Sequence, residues 1–152
     1  MEQKTYSFSI ITPEGLITLK INRVVINESK ENMRTTLSTS IQGEFRSYQA
    51  ETTEDALYCI AKDLPENWHI KSCLSCQYGH FCPIGNGDNE LFCVTDFEPK
   101  SSRDLWRVTE DDNERKNRSR NLFHSCEFHK EQSKDYYTYS DYYFRMNDRK
   151  SE

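Results

Sequence analysis

The chain has 152 residues, a formal net charge of −5 and a pI of about 5.4. Apolar residues make up 35% of it and charged residues 30%, so its core is lean and a bound metal would help to compensate. The acidic balance argues against nonspecific binding to nucleic acid or to anionic membranes. No signal peptide and no apolar run of transmembrane length is visible, so we expect a cytoplasmic protein whose thiols are free or metal-bound.

The first fifty residues alternate apolar and polar side chains, which is the period of half-buried β-strands. The alternation covers residues 6–10, 17–26 and 37–45. Pro13-Glu14-Gly15 has the composition of a turn, and the polar stretch 27–34 has that of a loop. These segments predict an antiparallel three-stranded meander with one solvated face.

An amphipathic helix is predicted over residues 53–64, directly after the strands. Thr52 or Thr53 can cap its first turn. Pro65 ends it, because the residue before a proline is disfavoured in helical geometry. The apolar stripe at helical spacing consists of Ala56, Leu57, Ile60, Ala61 and Leu64.

The rest of the chain predicts short elements joined by loops. Short strands are expected at 68–70 and 91–95, on either side of an irregular loop at 77–89 that is rich in glycine and proline. A short helix would begin near Ser102, and the polar stretch 109–120 would form a solvated helix or a loop.

Two later segments complete the predicted fold. Leu122, Phe123 and Cys126 have helical spacing, and the aromatic tail at 136–144 would form a strand with aromatic side chains on both faces. The sequence as a whole predicts a single α+β domain over residues 1–152. Within it, 1–66 would form the meander and its helix, and 67–146 a region stapled by zinc.

Cys73-Leu-Ser-Cys76 is the strongest chemical signal, because two cysteines three apart can bind one ion from a single turn. We predict a structural Zn²⁺ site in which Cys93 and Cys126 complete a tetrahedron of thiolates. A hairpin would return Cys93 to the turn, and Cys126 would arrive on an apolar helical face. Cys82 or His80 could replace one of these ligands, and iron is the alternative metal.

A metal-free interpretation stays open, since free cysteine is among the most buried residue types. For Cys59, which borders the stripe of the 53–64 helix, a small core residue is the expected role. His124 and His129 lie five residues apart and do not match the H-E-x-x-H pair of zinc hydrolases. No catalytic residue is therefore predicted.

The segment CLSCQYGHFCPIG at 73–85, followed by Leu91-Phe92-Cys93, resembles uncharacterised bacterial proteins that carry a C-x-x-C-x-Y-G-x-F-x-P-x-G loop. The similarity covers this loop and the short strand after it. It implies a cysteine-bound metal and no particular activity. In that pattern the position of Cys82 varies, which favours Cys93 as a ligand.

These features predict a non-catalytic interaction protein of the adaptor, inhibitor or immunity type, with structural zinc and a protein partner. The aromatic tail would supply part of the docking surface, because tyrosine combines a large contact area with a polar tip. One alternative is a zinc-stapled nucleic-acid-binding protein that uses the basic cluster at 115–120. Another is a zinc enzyme with an open coordination position near His80 or His124.

Overall fold

The computed structural model of the chain describes residues 2–29 and 32–150. They form an α+β structure with an antiparallel N-terminal sheet, as the sequence predicts. The chain divides into two compact units, and the division falls between Ile70 and Lys71. No helix within the described ranges is long and apolar enough to span a membrane.

A five-stranded sheet forms the first unit. Its strands are β1 (Glu2–Thr12), β2 (Gly15–Ser29), β3 (Asn32–Ile41), β4 (Glu44–Ala50) and β5 (His69–Lys71), in the spatial order β4-β3-β2-β1-β5. The first four strands pair antiparallel with their neighbours in the chain. Five side chains of these strands are completely buried in the core: Phe8, Ile10, Ile21, Leu37 and Ile41.

The meander has four strands rather than the predicted three. Gln42 and Gly43 both adopt positive φ, 51° and 80°, which suits a two-residue hairpin turn. The predicted 37–45 strand therefore ends at Ile41, and Phe45 lies in the next strand, β4, with 71% of its surface exposed. The predicted loop at 27–34 is also strand at both ends; residues 30–31 lie outside the described part of the chain.

The helix α1 (Thr53–Asp63) forms where the sequence predicts it. The hydroxyl of Thr52 accepts the N–H of Asp55 at 3.0 Å, which satisfies one unpaired donor of the first turn. Leu64 leaves helical geometry directly before Pro65. The predicted apolar stripe is buried, and the helix packs against β3 and β4.

Short elements joined by loops make up the second unit. Its small antiparallel sheet has the order β6 (Gly79–His80), β7 (Leu91–Cys93), β8 (Ser119–Arg120). Its helices are α2 (Ser102–Thr109), α3 (Asp112–Arg118) and α4 (Tyr142–Lys150). The short helix near Ser102 is thus confirmed, and most of the polar stretch 109–120 is a helix with no buried residue.

Two predictions for this unit are wrong. The segment 121–132 is irregular rather than helical, because its carbonyls bond elsewhere: His124 accepts the N–H of Cys73, and Lys130 accepts that of Gln77. The aromatic tail is irregular up to position 141 and then helical, so it forms no strand.

Candidate metal centre and aromatic groove

The turn that carries Cys73 and Cys76 is closed by backbone hydrogen bonds. The N–H of Cys76 donates to the carbonyl of Cys73 at 3.3 Å, and the N–H of Gly79 donates to the carbonyl of Cys76 at 3.0 Å. Gly79 lies so close to the Cys73 carbonyl that a Cβ atom at position 79 would overlap its oxygen. A glycine is therefore required at this point of the turn.

Cys93 reaches this turn through the small sheet. Gly79 of β6 pairs with Cys93 of β7, and the N–H of Val94 donates to the carbonyl of Tyr78 at 2.9 Å. The short hairpin predicted to return Cys93 to the Cys73–Cys76 turn is thus formed.

The segment around Cys126 is attached to the same turn from another side. Its carbonyls accept the N–H groups of Cys73 and Gln77, both at 2.7 Å. In addition, Glu131 of this segment forms an isolated antiparallel bridge with Cys76. The buried side chain of Gln132 adds two bonds, from its Nε2 to the carbonyls of Leu74 (3.0 Å) and Cys76 (3.3 Å). Backbone pairing thus holds the Cys126 segment beside the turn, although Cys126 is not on a helix.

Burial and neighbouring charges raise the pKa values of three of the four predicted ligands. The pKa of Cys73 is raised to about 12, mainly by burial and in part by the neighbouring Cys93, Cys76 and Cys126, against an opposing effect of Arg120. Burial likewise raises the pKa values of Cys76 and Cys93, and Cys126 adds to both. The backbone pairing described above places the segments that carry these four thiols beside one turn.

Hydrogen bonds from backbone N–H groups oppose the effect of burial at two of these thiols, because they lower the pKa. Hydrogen bonds from the N–H groups of Lys130, Tyr78 and Gly79 lower the pKa of Cys76, and that of Thr95 lowers the pKa of Cys93. Successive N–H groups of this kind form a concavity that favours an anion. At Cys76 these bonds offset part of the effect of burial, although the pKa of this thiol stays above its usual value.

No group of three or more His, Cys, Asp or Glu side chains in residues 2–29 and 32–150 is arranged so that it could hold a metal ion. All six cysteines are free thiols. Zinc binding by the four thiols therefore stays a prediction.

The other candidate ligands lie in different surroundings. The buried Cys82 thiol donates to Thr109 Oγ1 at 3.3 Å and accepts a long contact of 3.8 Å from Arg115. Cys59 is exposed on α1, so the prediction that it is a core residue is wrong: it lies just beyond the edge of the buried stripe. The side chain of His124 is exposed as well.

His80, an alternative ligand in the sequence prediction, is 1% exposed. Its Nδ1 accepts the N–H of Tyr139 at 3.0 Å, and its ring stacks on that of Tyr137. Within the described residues its Nε2 has no hydrogen-bond partner. Burial lowers its pKa to about 4, so the ring is neutral near pH 7.

A serine–histidine contact joins residues 54 positions apart, which sequence reasoning did not find. Ser75 Oγ and His129 Nε2 are 2.9 Å apart. Ser75 is only 2% exposed and also donates to the carbonyl of Ser72 at 3.1 Å. A catalytic serine needs access to substrate and a base that takes its proton, so this pair supports the turn rather than catalysis.

The basic cluster at 115–120 is largely engaged within the protein. Arg118 forms a bidentate pair with Asp96, with both contacts at 2.7 Å, and also binds Glu114. Arg115 donates to the carbonyl of Gly85, and Arg120 to those of Asn117 and Ser119. These contacts leave few donors for phosphate.

The aromatic tail lines an open groove of about 430 Å³. None of its six aromatic residues is buried; Tyr139 and Phe144 are 39% and 64% exposed, and the others are half-buried. The lining consists of Phe81, Tyr137, Thr138, Tyr139, Ser140, Asp141 and Phe144. The tail thus presents aromatic surface to solvent, although its secondary structure was predicted incorrectly.

No protein-family model matches this chain, and neither a curated protein nor a solved structure matches it.

Proposed function

We propose that this protein is a non-catalytic interaction protein. Its second unit is held together by a structural Zn²⁺ on Cys73, Cys76, Cys93 and Cys126, and its aromatic groove docks another protein. The observation that carries the proposal is the groove: aromatic side chains are held at the surface of the unit that contains the four thiols.

The chemistry of the four sulfurs supports zinc. Burial and the charges of neighbouring thiols disfavour the ionised forms of Cys73 and Cys76, and backbone N–H groups offset part of this effect at Cys76. A divalent cation bound by the four thiolates would remove this repulsion. Arg120, which lowers the pKa of both Cys73 and Cys93, would offset part of the negative charge of a four-thiolate site.

A site closed by four sulfurs leaves no open position for substrate, which argues for a structural role. The sheet of the second unit is small, because its three strands have three residues or fewer. A metal would compensate for this shortage of hydrogen-bonded framework, as it does in other small domains.

Docking is supported by the kind of surface that the groove offers. Tyrosine and phenylalanine are enriched in protein interfaces, where they supply large contact areas. The internal pairing of the basic cluster and the net charge of −5 disfavour nucleic acid as the partner.

Cross-linking with mass spectrometry in the native host tests the proposed function. The double variant Tyr139→Ala/Phe144→Ala should lose a partner protein that the wild type captures. The control Leu16→Ala/Phe45→Ala removes two comparably exposed apolar side chains of the first unit, 61% and 71% exposed, and should retain that partner. An identical capture profile for all three proteins would contradict docking at the groove.

A further inference from the structure

The chemistry of the groove narrows the kind of partner that it fits. Four of its seven lining residues are aromatic, one is a carboxylate and none is basic. The faces of aromatic rings carry negative electrostatic potential and attract cations, and a nearby carboxylate adds to that attraction. An acidic side chain of a partner would meet repulsion in the same place.

We infer that the groove binds a basic segment of the partner protein and that one cationic side chain of this segment lies against the rings of Phe81, Tyr137, Tyr139 and Phe144. This inference rests on the proposed function, since it specifies the chemistry of the docked protein. The net charge of −5 favours encounter with a basic partner over an acidic one.

The groove walls are preorganised by the buried layer beneath them. The N–H of Phe81 donates to the carbonyl of Tyr139 at 2.9 Å, and the N–H of Tyr139 donates to Nδ1 of the buried His80. The ring of Tyr137 stacks on the imidazole of His80, with centroids 6.4 Å apart. The backbone at Phe81 and Tyr139 and the ring of Tyr137 therefore need little further ordering when a ligand binds, which increases affinity.

The protein already uses the same interaction internally. The guanidinium groups of Arg115 and Arg118 lie 5.3 Å and 5.6 Å from the ring centroids of Phe92 and Phe97. These contacts are within the range of an attractive cation–π pair. The groove is lined by four aromatic residues, and no basic side chain is among its lining residues.

Binding of three blocked tripeptides, Gly-Lys-Gly, Gly-norleucine-Gly and Gly-Glu-Gly, followed by NMR shifts of the groove amides, tests the inference. Norleucine has the apolar stem of lysine without its charge. We expect the lysine tripeptide to bind about 5- to 30-fold more tightly than the norleucine tripeptide, the ratio typical of a cation–π contact. The glutamate tripeptide should bind most weakly.

Two variants of the groove, with Tyr136→Leu as the control, identify the source of the preference. Tyr139→Leu keeps an apolar side chain but removes a ring, so the preference for lysine should fall several-fold, whereas Tyr136→Leu, outside the groove lining, should leave it unchanged. Asp141→Asn should weaken lysine binding and reduce its dependence on salt.

Equal binding of lysine and norleucine, or no binding of lysine, would overturn the inference. A wild-type protein that self-associates, together with a Tyr139→Leu variant that does not, would also overturn the inference. The occupant of the groove would then be a second copy of this chain. The proposed function is tested separately by cross-linking: a partner lost from the groove variant supports docking even if the tripeptides show no charge preference.

Discussion

Gly79 lies directly against the carbonyl of Cys73, with no room for a side chain between them. This contact joins the cysteine turn to the strand that pairs with Cys93. One glycine thereby permits the turn that carries two of the proposed ligands to lie close to the strand that pairs with the third, Cys93, and the consequence can be tested by substitution.

Gly79→Ala should destabilise the second unit by roughly 2–4 kcal/mol, because its methyl group would overlap backbone that cannot rotate away. Chemical denaturation followed by circular dichroism measures the loss. Gly87→Ala is the matched control: its Cβ would have ordinary contacts, 3.7 Å at the nearest, so stability should change by less than about 0.5 kcal/mol. Equal stabilities of the two variants would show that the turn is not tightly packed.

Gln132 connects the turn to the start of α4. Besides its bonds to Leu74 and Cys76, its Oε1 accepts the N–H of Tyr143 at 3.2 Å. Gln132→Ala should lower the free energy of unfolding by about 2–3 kcal/mol, because buried polar groups would lose their partners, and should speed hydrogen exchange at the Tyr143 amide. Gln77→Ala, half-buried on the same turn, should change neither measurement appreciably.

Acid should destabilise the protein through His80. The folded pKa, about 4, lies below the unfolded value, so below about pH 6.5 the unfolded state binds the proton first. Stability should therefore fall as pH drops from about 6.5 towards 4, by roughly 2 kcal/mol at pH 5. His80→Asn, which keeps an acceptor for Tyr139 and does not titrate, should lack this component, whereas His69→Asn, at an exposed position, should retain it. Parallel pH profiles for wild type and His80→Asn would contradict the assignment.

Arg120 should strengthen metal binding without touching the metal. Its positive charge lowers the pKa values of Cys73 and Cys93, so Arg120→Gln should weaken zinc affinity by about tenfold. Competition with a chromophoric chelator measures this affinity. Arg107→Gln, at an exposed position on α2, should bind zinc as the wild type does; a similar loss in both variants would point to a general charge effect.

Local patterns predicted much of the fold. The period-two alternation identified the sheet, and Thr52 and Pro65 bounded α1 within a residue. The break at Gln42–Gly43 was missed, because the apolar parity continues through Phe45 and the turn lacks the usual Asn-Gly pair. Elements whose spacing is regular could be read from the sequence, whereas turns with unusual residues could not.

The second unit was harder to predict, because long-range backbone bonds determine its structure. The apolar spacing of Leu122, Phe123 and Cys126 predicted a helix, but the His124 carbonyl bonds to Cys73, fifty-one positions earlier. The contact between Ser75 and His129 likewise has no local signal in the sequence. The buried position of His80 depends on the tail folding over it, through a bond from Tyr139.

Zinc content of protein purified without added metal, measured by mass spectrometry, is the most direct test of the account. We predict close to one zinc per chain in the wild type and in Cys59→Ser, whose thiol is exposed. Cys93→Ser and Cys126→Ser should lose zinc and local structure together, since the energy of metal binding contributes to folding. A wild-type protein that carries neither zinc nor iron, or a Cys126→Ser variant that keeps its full zinc content, would contradict the four-thiol site.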